Sequence, residues 1–87
     1  MDINIYSKYV VVMINKRTYI DETGEFKNLR QEHTSILDGG EIIDLLHDRL
    51  ADDWVQAIHI TKGEIYISAF NPLTGETEES IYTIKEE

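Results

Sequence analysis

Residues 38–54 carry the clearest helical pattern in this 87-residue chain, and that pattern requires a second layer of structure. With successive residues about 100° apart, the apolar side chains fall on one stripe and the acidic ones on the opposite side. The stripe consists of Ile42, Ile43, Leu46, Leu50 and Trp54, with Leu45 beside it. The acidic row consists of Glu41, Asp44, Asp48 and Asp52. A helix with one apolar side must bury it, which predicts a helix lying on a sheet.

The first turn of this helix has the residues of a capping box. Asp38 is suited to accept hydrogen bonds from free backbone N–H groups, and Glu41 follows three residues later. The two glycines between them weaken this boundary, since glycine costs helix stability, and Ser35 is the alternative cap. Asp53 would fall on the apolar side, so the helix is predicted to end near Asp52.

The chain before the helix begins with a strong strand signal. Residues 3–14 are apolar on both alternating faces, which is typical of a central strand. Residues 15–17 are predicted to form a tight turn, and residues 18–21 the return strand.

A second turn is predicted at residues 22–25, where Gly24 can adopt a positive φ. Residues 25–29 fit either a third strand or a short helical turn. Residues 30–35 are polar and are predicted to form the loop that leads into the helix.

The chain after the helix predicts a hairpin with a defined register. Residues 55–61 and 64–70 flank Lys62-Gly63, and pairing them around that loop matches apolar with apolar residues. The predicted pairs are Ile60–Ile65, Ile58–Ile67, Val55–Phe70, Ala57–Ser68 and His59–Tyr66.

Residues 71–75 contain the only proline and are predicted to form a turn, followed by a last strand at 80–84. The predicted fold class is therefore α+β, in one small acidic domain over residues 1–87. It consists of a mainly antiparallel sheet of five or six strands, ordered as a hairpin, the amphipathic helix and a three-stranded meander. The helix packs on one face.

The charge balance restricts the partners that this chain can bind. Seventeen Asp and Glu against eight Lys and Arg give a formal charge of −9. This balance argues against direct binding to nucleic acid or to anionic membranes, which need cationic side chains. It favours a basic protein partner.

The chain has no cysteine, which excludes disulfides and thiolate zinc sites and fits a cytoplasmic protein. The longest apolar run, residues 9–14, is far shorter than the roughly 20 residues of a membrane span. The N-terminus lacks the features of a signal peptide.

No motif for catalysis, cofactor binding or metal binding is evident. His33, His47 and His59 lack the spacing of a metal site, and the acidic turns lack the spacing of a calcium loop. Neither a nucleophile motif nor a phosphate-binding loop is present. These observations predict a non-enzymatic protein without a cofactor.

The acidic row on the helix is the main functional candidate. Carboxylates at i, i+4 and i+8 repel one another, and a rigid row of this kind can occupy a basic groove that normally holds a phosphate backbone. We therefore expect a protein–protein interaction role, such as a phage-type inhibitor or modulator that mimics DNA and binds a nucleic-acid-binding protein. The expected partner-binding residues are Glu41, Asp44, Asp48, Asp52, Glu76, Glu78 and Glu79.

The alternative is a small structural homodimer that assembles through the N-terminal strand. It rests on the apolar character of residues 9–14 on both faces of that strand.

Overall fold

An antiparallel sheet and one short helix make up the part of the chain that the computed structural model describes, residues 3–47 and 54–87. The sheet contains five strands in the order β2-β1-β5-β4-β3. The elements are β1 Lys8–Ile20, β2 Phe26–Asp38, α1 Gly39–His47, β3 Val55–Thr61, β4 Glu64–Phe70 and β5 Thr77–Glu86. An antiparallel sheet with one helix confirms the broad α+β class.

Strand β1 is longer than predicted and occupies different residues. The predicted turn at 15–17 is wrong, because β1 continues through it to Ile20 and includes the predicted return strand at 18–21. Asn15 is buried there and its Nδ2 donates to Glu78 Oε1 at 2.9 Å and to Ser80 Oγ at 3.0 Å. A polar residue is tolerated because the neighbouring strand satisfies its amide.

The start of β1 also differs from the prediction, because residues 3–7 precede the strand. Their backbone is held by other bonds: the Asn4 N–H donates to the Tyr9 hydroxyl at 2.9 Å, and the Gly39 N–H donates to the Ser7 carbonyl at 3.1 Å. These bonds place residues 3–7 against the first turn of the helix.

The first reversal of the chain lies at residues 21–25, close to the predicted second turn. Asp21 Oδ1 accepts from the Thr23 N–H at 2.8 Å and from the Glu25 N–H at 3.1 Å. Gly24 has a φ of 85°, the conformation that favours glycine. This turn sets the register in which Ile20 pairs with Phe26 and Lys8 pairs with Asp38.

Strand β2 resolves the alternative at residues 25–29 in favour of a strand, and it shows that the predicted loop at 30–35 is wrong. Those residues lie within the 13-residue strand β2. The polar sequence gave no strand signal because β2 is an edge strand, exposed along most of its length. Its hydrogen bonds to β1 stabilise it without a buried side.

Strands β3 and β4 have the predicted bounds and the predicted register. All five predicted pairs are present, and Gly63 in the connecting loop has a φ of 81°. Strand β5 is longer than the predicted 80–84, because it pairs with β1 along nearly its whole length and with β4.

The helix begins as predicted. Asp38 Oδ1 accepts from the Glu41 N–H at 2.8 Å, and Glu41 Oε1 accepts from the Asp38 N–H at 3.3 Å, which confirms the capping box. The described helix ends at His47. The predicted continuation to Asp52 lies outside the described residues. Trp54 is half-buried and directly precedes β3.

The buried core lies on one face of the sheet. Ile42 of the helix is 2% exposed and belongs to the same cluster as four strand residues. Those residues, which define what we call the helix face, are Tyr9, Val11, Ile65 and Ile84. Side chains alternate between faces along each strand, so the residues between them point to the other side.

Candidate functional site

The acidic row of the helix is only partly within the described residues. Glu41 and Asp44 are exposed on α1, whereas Asp48 and Asp52 lie outside the described part. Glu41 takes part in the capping box. The Asp44 carboxylate forms no hydrogen bond or ion pair with any residue in 3–47 and 54–87.

Of the other three predicted acids, Glu76 and Glu78 accept hydrogen bonds near the β5 end of the turn at 71–75. Glu76 accepts from the Thr74 hydroxyl at 2.9 Å and from the Ile20 N–H at 3.4 Å. Glu78 accepts from Asn15, as described above. Glu79 pairs with Lys16 in the register of β1 and β5.

The structure does not bring these two groups of acids together. Glu86 pairs with Tyr9 near the helix, whereas Glu78 pairs with Arg17 at the other end of β1. Eight residues of extended strand separate the two positions, which is about 26 Å. A single partner groove would have to span that distance to contact both groups.

Further acids lie in the turn between β1 and β2, next to Ile20, whose N–H donates to Glu76, and they were not among the predicted site residues. The hydroxyl of Thr23 donates to Asp21 Oδ1 at 2.6 Å, and this bond is the main reason that the pKa of Asp21 lies below its ordinary value. Lys27 Nζ lies 3.2 Å from Glu25 and 3.9 Å from Asp21. Asp21 and Glu25 therefore form contacts that stabilise the turn itself.

The cap of the helix also has a lowered pKa. The Glu41 N–H holds the pKa of Asp38 below its ordinary value of 3.8, because it stabilises the ionised carboxylate. A lowered folded pKa means that this stabilisation is present above the ordinary value. It is lost as the pH falls through the lowered pKa.

The net negative charge lies outside the strands of the sheet. The five strands contain six cationic and six acidic side chains and are therefore neutral. The described residues outside the strands contain seven carboxylates and one lysine, a formal charge of −6. The acidic character thus belongs to the helix and the connecting segments.

The face of the sheet opposite the helix face is partly apolar, and we call it the open face. By the register, its centre consists of half-buried Val10, Val12, Ile14, Tyr66 and Ile81. Exposed apolar side chains surround this centre: Phe26, Ile36, Val55 and Phe70, each more than 40% exposed. The core cluster lies wholly on the other face.

A groove on the open face contains cations that the sequence reasoning missed. Its cavity of about 340 Å³ is bounded by eight residues of β1, β2 and β5. They are Lys16, Arg17, Thr18, Asn28, Leu29, Arg30, Thr77 and Glu79. The groove was not predicted, because residues 15–17 and 30–35 were expected to form a turn and a loop rather than adjacent strands. The excess of positive charge in residues 1–20 is the sequence feature that could have indicated a cationic groove.

No cluster of three or more His, Asp or Glu residues suited to a metal ion occurs in the described ranges 3–47 and 54–87. His33 and His59 lie on the two edge strands, and His33 Nε2 lies 2.8 Å from the Ser35 hydroxyl. The described helix is also too short to cross a membrane.

Comparison of the chain with models of known protein families, with curated proteins and with solved structures found no match.

Proposed function

We propose that the protein is a non-enzymatic interaction protein that presents an acidic surface to a basic site on a partner. The observation that supports this proposal is the division of charge: the strands are neutral, and the helix and connecting segments hold the excess of carboxylates. An excess of one sign of charge on one part of a protein steers it toward a partner of the opposite charge.

The proposed contact surface is centred on the helix. Asp44 is exposed and unpaired among the described residues, and Glu41 is exposed one turn before it. Asp48 and Asp52 extend this row in the sequence. Glu76, Glu78 and Glu79 contribute to binding only when the partner's basic site is long enough to reach the far end of the sheet.

A basic groove that normally holds a nucleic acid is the partner site with the best matching chemistry. Carboxylates then replace phosphates, as in a DNA mimic, and the protein acts as an inhibitor or modulator of the phage type. We propose the cytoplasm as its compartment, in keeping with a chain that contains no cysteine.

The test compares two single charge reversals that change the net charge equally. Asp44→Lys alters the helix, and Glu22→Lys alters an exposed residue of the turn at the far end of β1. The immobilised protein and both variants are incubated with a host lysate at low and at high salt. The captured proteins are then challenged with duplex DNA.

We expect the original protein to capture basic proteins that high salt and duplex DNA release. Asp44→Lys should capture them about ten-fold less well, and Glu22→Lys as well as the original protein. Equal capture by Asp44→Lys and the original protein, with the same salt dependence, would show that the helix is not the contact surface.

A second candidate function is homodimerisation, and the open face favours it. Strand β1 is flanked by β2 and β5, so it can take part in an interface only through its faces. The open face contains four cationic and four acidic side chains. A second copy could therefore approach this neutral face while the acidic segments remain outside.

The size of the open face is sufficient for such a dimer. Its five strands have 7 to 13 residues each, which at about 3.3 Å per residue and 4.8 Å between strands corresponds to a footprint of about 800 Å². Stable interfaces bury about 800 Å² per partner. A second copy is thus the occupant that both the charge and the area fit.

A further inference from the structure

The groove on the open face has the layout of a small-molecule site. Six of its eight residues point to that face, in two rows across β2, β1 and β5. One row consists of Arg30, Lys16 and Glu79, and the other of Asn28, Thr18 and Thr77. A volume of about 340 Å³ is within the range of pockets that hold small ligands.

The first row places two cations side by side. Lys16 and Arg30 pair directly across β1 and β2, an arrangement that is unfavourable because like charges face each other. Three of the eight Lys and Arg residues in this acidic chain border the one groove. A bound anion would relieve the repulsion between the two cations.

These cations are available to a ligand. The Lys16 ammonium group forms no hydrogen bond or ion pair within the described ranges 3–47 and 54–87. Arg30 reaches Glu32 only at 3.5 Å, an exposed and long contact. Exposed ion pairs of this length contribute little to stability, so the Arg30 guanidinium can readily bind a ligand carboxylate instead.

The second row adds neutral polar groups. The Thr18 hydroxyl donates to Asn28 Oδ1 at 2.9 Å, which leaves the Asn28 Nδ2 hydrogens as donors. The Thr77 hydroxyl forms no hydrogen bond within the described part of the chain, so it can donate or accept.

Glu79 limits the kind of anion that fits. It lies directly across from Lys16 on the side away from Arg30, and it forms no ion pair among the described residues. A doubly charged anion such as phosphate would be repelled by this carboxylate. A ligand with one carboxylate and one nearby cationic donor would satisfy both sides of the groove.

We propose that this groove binds a small zwitterion of the amino-acid class. Its carboxylate lies between Lys16 and Arg30, and its ammonium group donates to Glu79 and Thr77. This site is separate from the acidic helix surface and does not depend on it. It lies on the open face beside the apolar centre, so a homodimer through that face would cover it and would compete with the ligand.

The test is a titration of the isotope-labelled full chain, followed by the NMR shifts of its backbone amides. The probes are glycine, acetate and inorganic phosphate, each added at matched ionic strength. We expect saturable shifts at Lys16, Thr18, Arg30 and Thr77, with millimolar binding that is tightest for glycine and weakest for phosphate.

Matched variants show whether the groove is responsible. Lys16→Gln and Arg30→Gln should each weaken glycine binding about ten-fold, since each removes a charge-assisted hydrogen bond. Lys85→Gln removes a cation of the same face outside the groove and should leave binding unchanged. Glu79→Gln should weaken glycine binding and strengthen phosphate binding.

Three results would overturn the proposal. The first is no saturable shift below about 50 mM glycine. The second is equal weakening by Lys85→Gln and Lys16→Gln, which would indicate a general effect of charge. The third is tighter binding of phosphate than of glycine by the original protein.

Discussion

At the scale of single residues, the two adjacent glycines at the start of the helix have different surroundings. A Cβ on Gly39 would overlap the backbone carbonyl of Asn4, because residues 3–7 cross the first turn at this point. A Cβ on Gly40 would meet only the Asp38 carboxylate, at 3.3 Å. Gly39 is therefore required by a tertiary contact, whereas Gly40 is not.

This difference predicts that two alanine substitutions in one helical turn change stability by different amounts. Gly39→Ala should lower the free energy of unfolding by about 1–3 kcal/mol, because backbone atoms of residues 3–7 would have to move. Gly40→Ala should change it by less than about 1 kcal/mol, since alanine favours the helix. Chemical denaturation measures both values. Equal destabilisation by the two substitutions would contradict the proposed role of Asn4.

At the scale of elements, Ile42 joins the helix to the sheet. This side chain is 2% exposed and lies in one cluster with residues from β1, β4 and β5. Ile60 is an isoleucine of the edge strand β3 that is 55% exposed. Ile42 and Ile60 thus have the same side chain and differ in burial, which makes them a matched pair.

We expect Ile42→Ala to lower the free energy of unfolding by about 2–4 kcal/mol, through lost burial and a remaining cavity. Ile60→Ala should cost less than about 1 kcal/mol. Thermal and chemical denaturation measure both. A small effect of Ile42→Ala would show that the helix contributes little to the core.

At the scale of the whole molecule, a neutral and partly apolar face is combined with an acidic periphery. Two copies can approach through the open face without bringing their excess carboxylates together. Ile36 and Ile60 provide a matched pair for testing this. Both are exposed isoleucines of edge strands, at 59% and 55%, but Ile36 lies on the open face and Ile60 on the helix face.

Sedimentation of the original protein at about 10 µM should reveal a dimer. Ile36→Glu should shift the equilibrium toward monomer at least ten-fold, because it would bury a charge in the interface. Ile60→Glu should leave the dimer intact. A monomeric original protein, or equal effects of both substitutions, would exclude an interface on the open face.

The sequence alone determined those features that depend on neighbouring residues. The capping box of Asp38 and Glu41, the turn at Gly24 and the register of β3 with β4 follow from local hydrogen bonding and from matched alternation across a two-residue loop. Such interactions form between residues close in sequence, so local patterns predict them.

Only the tertiary structure decided the length of β1, the existence of β2 as a strand and the position of the groove. Residues 15–17 and 30–35 have a polar sequence typical of turns and loops, yet strand partners hold them extended. Their hydrogen bonds go to residues remote in sequence, such as those from Asn15 to Glu78 and Ser80. The same pairing places Glu78 about 26 Å along β1 from the end of that strand that lies near the helix. It also brings Lys16 and Arg30 together, because strand register is set by the partner strand rather than by local sequence.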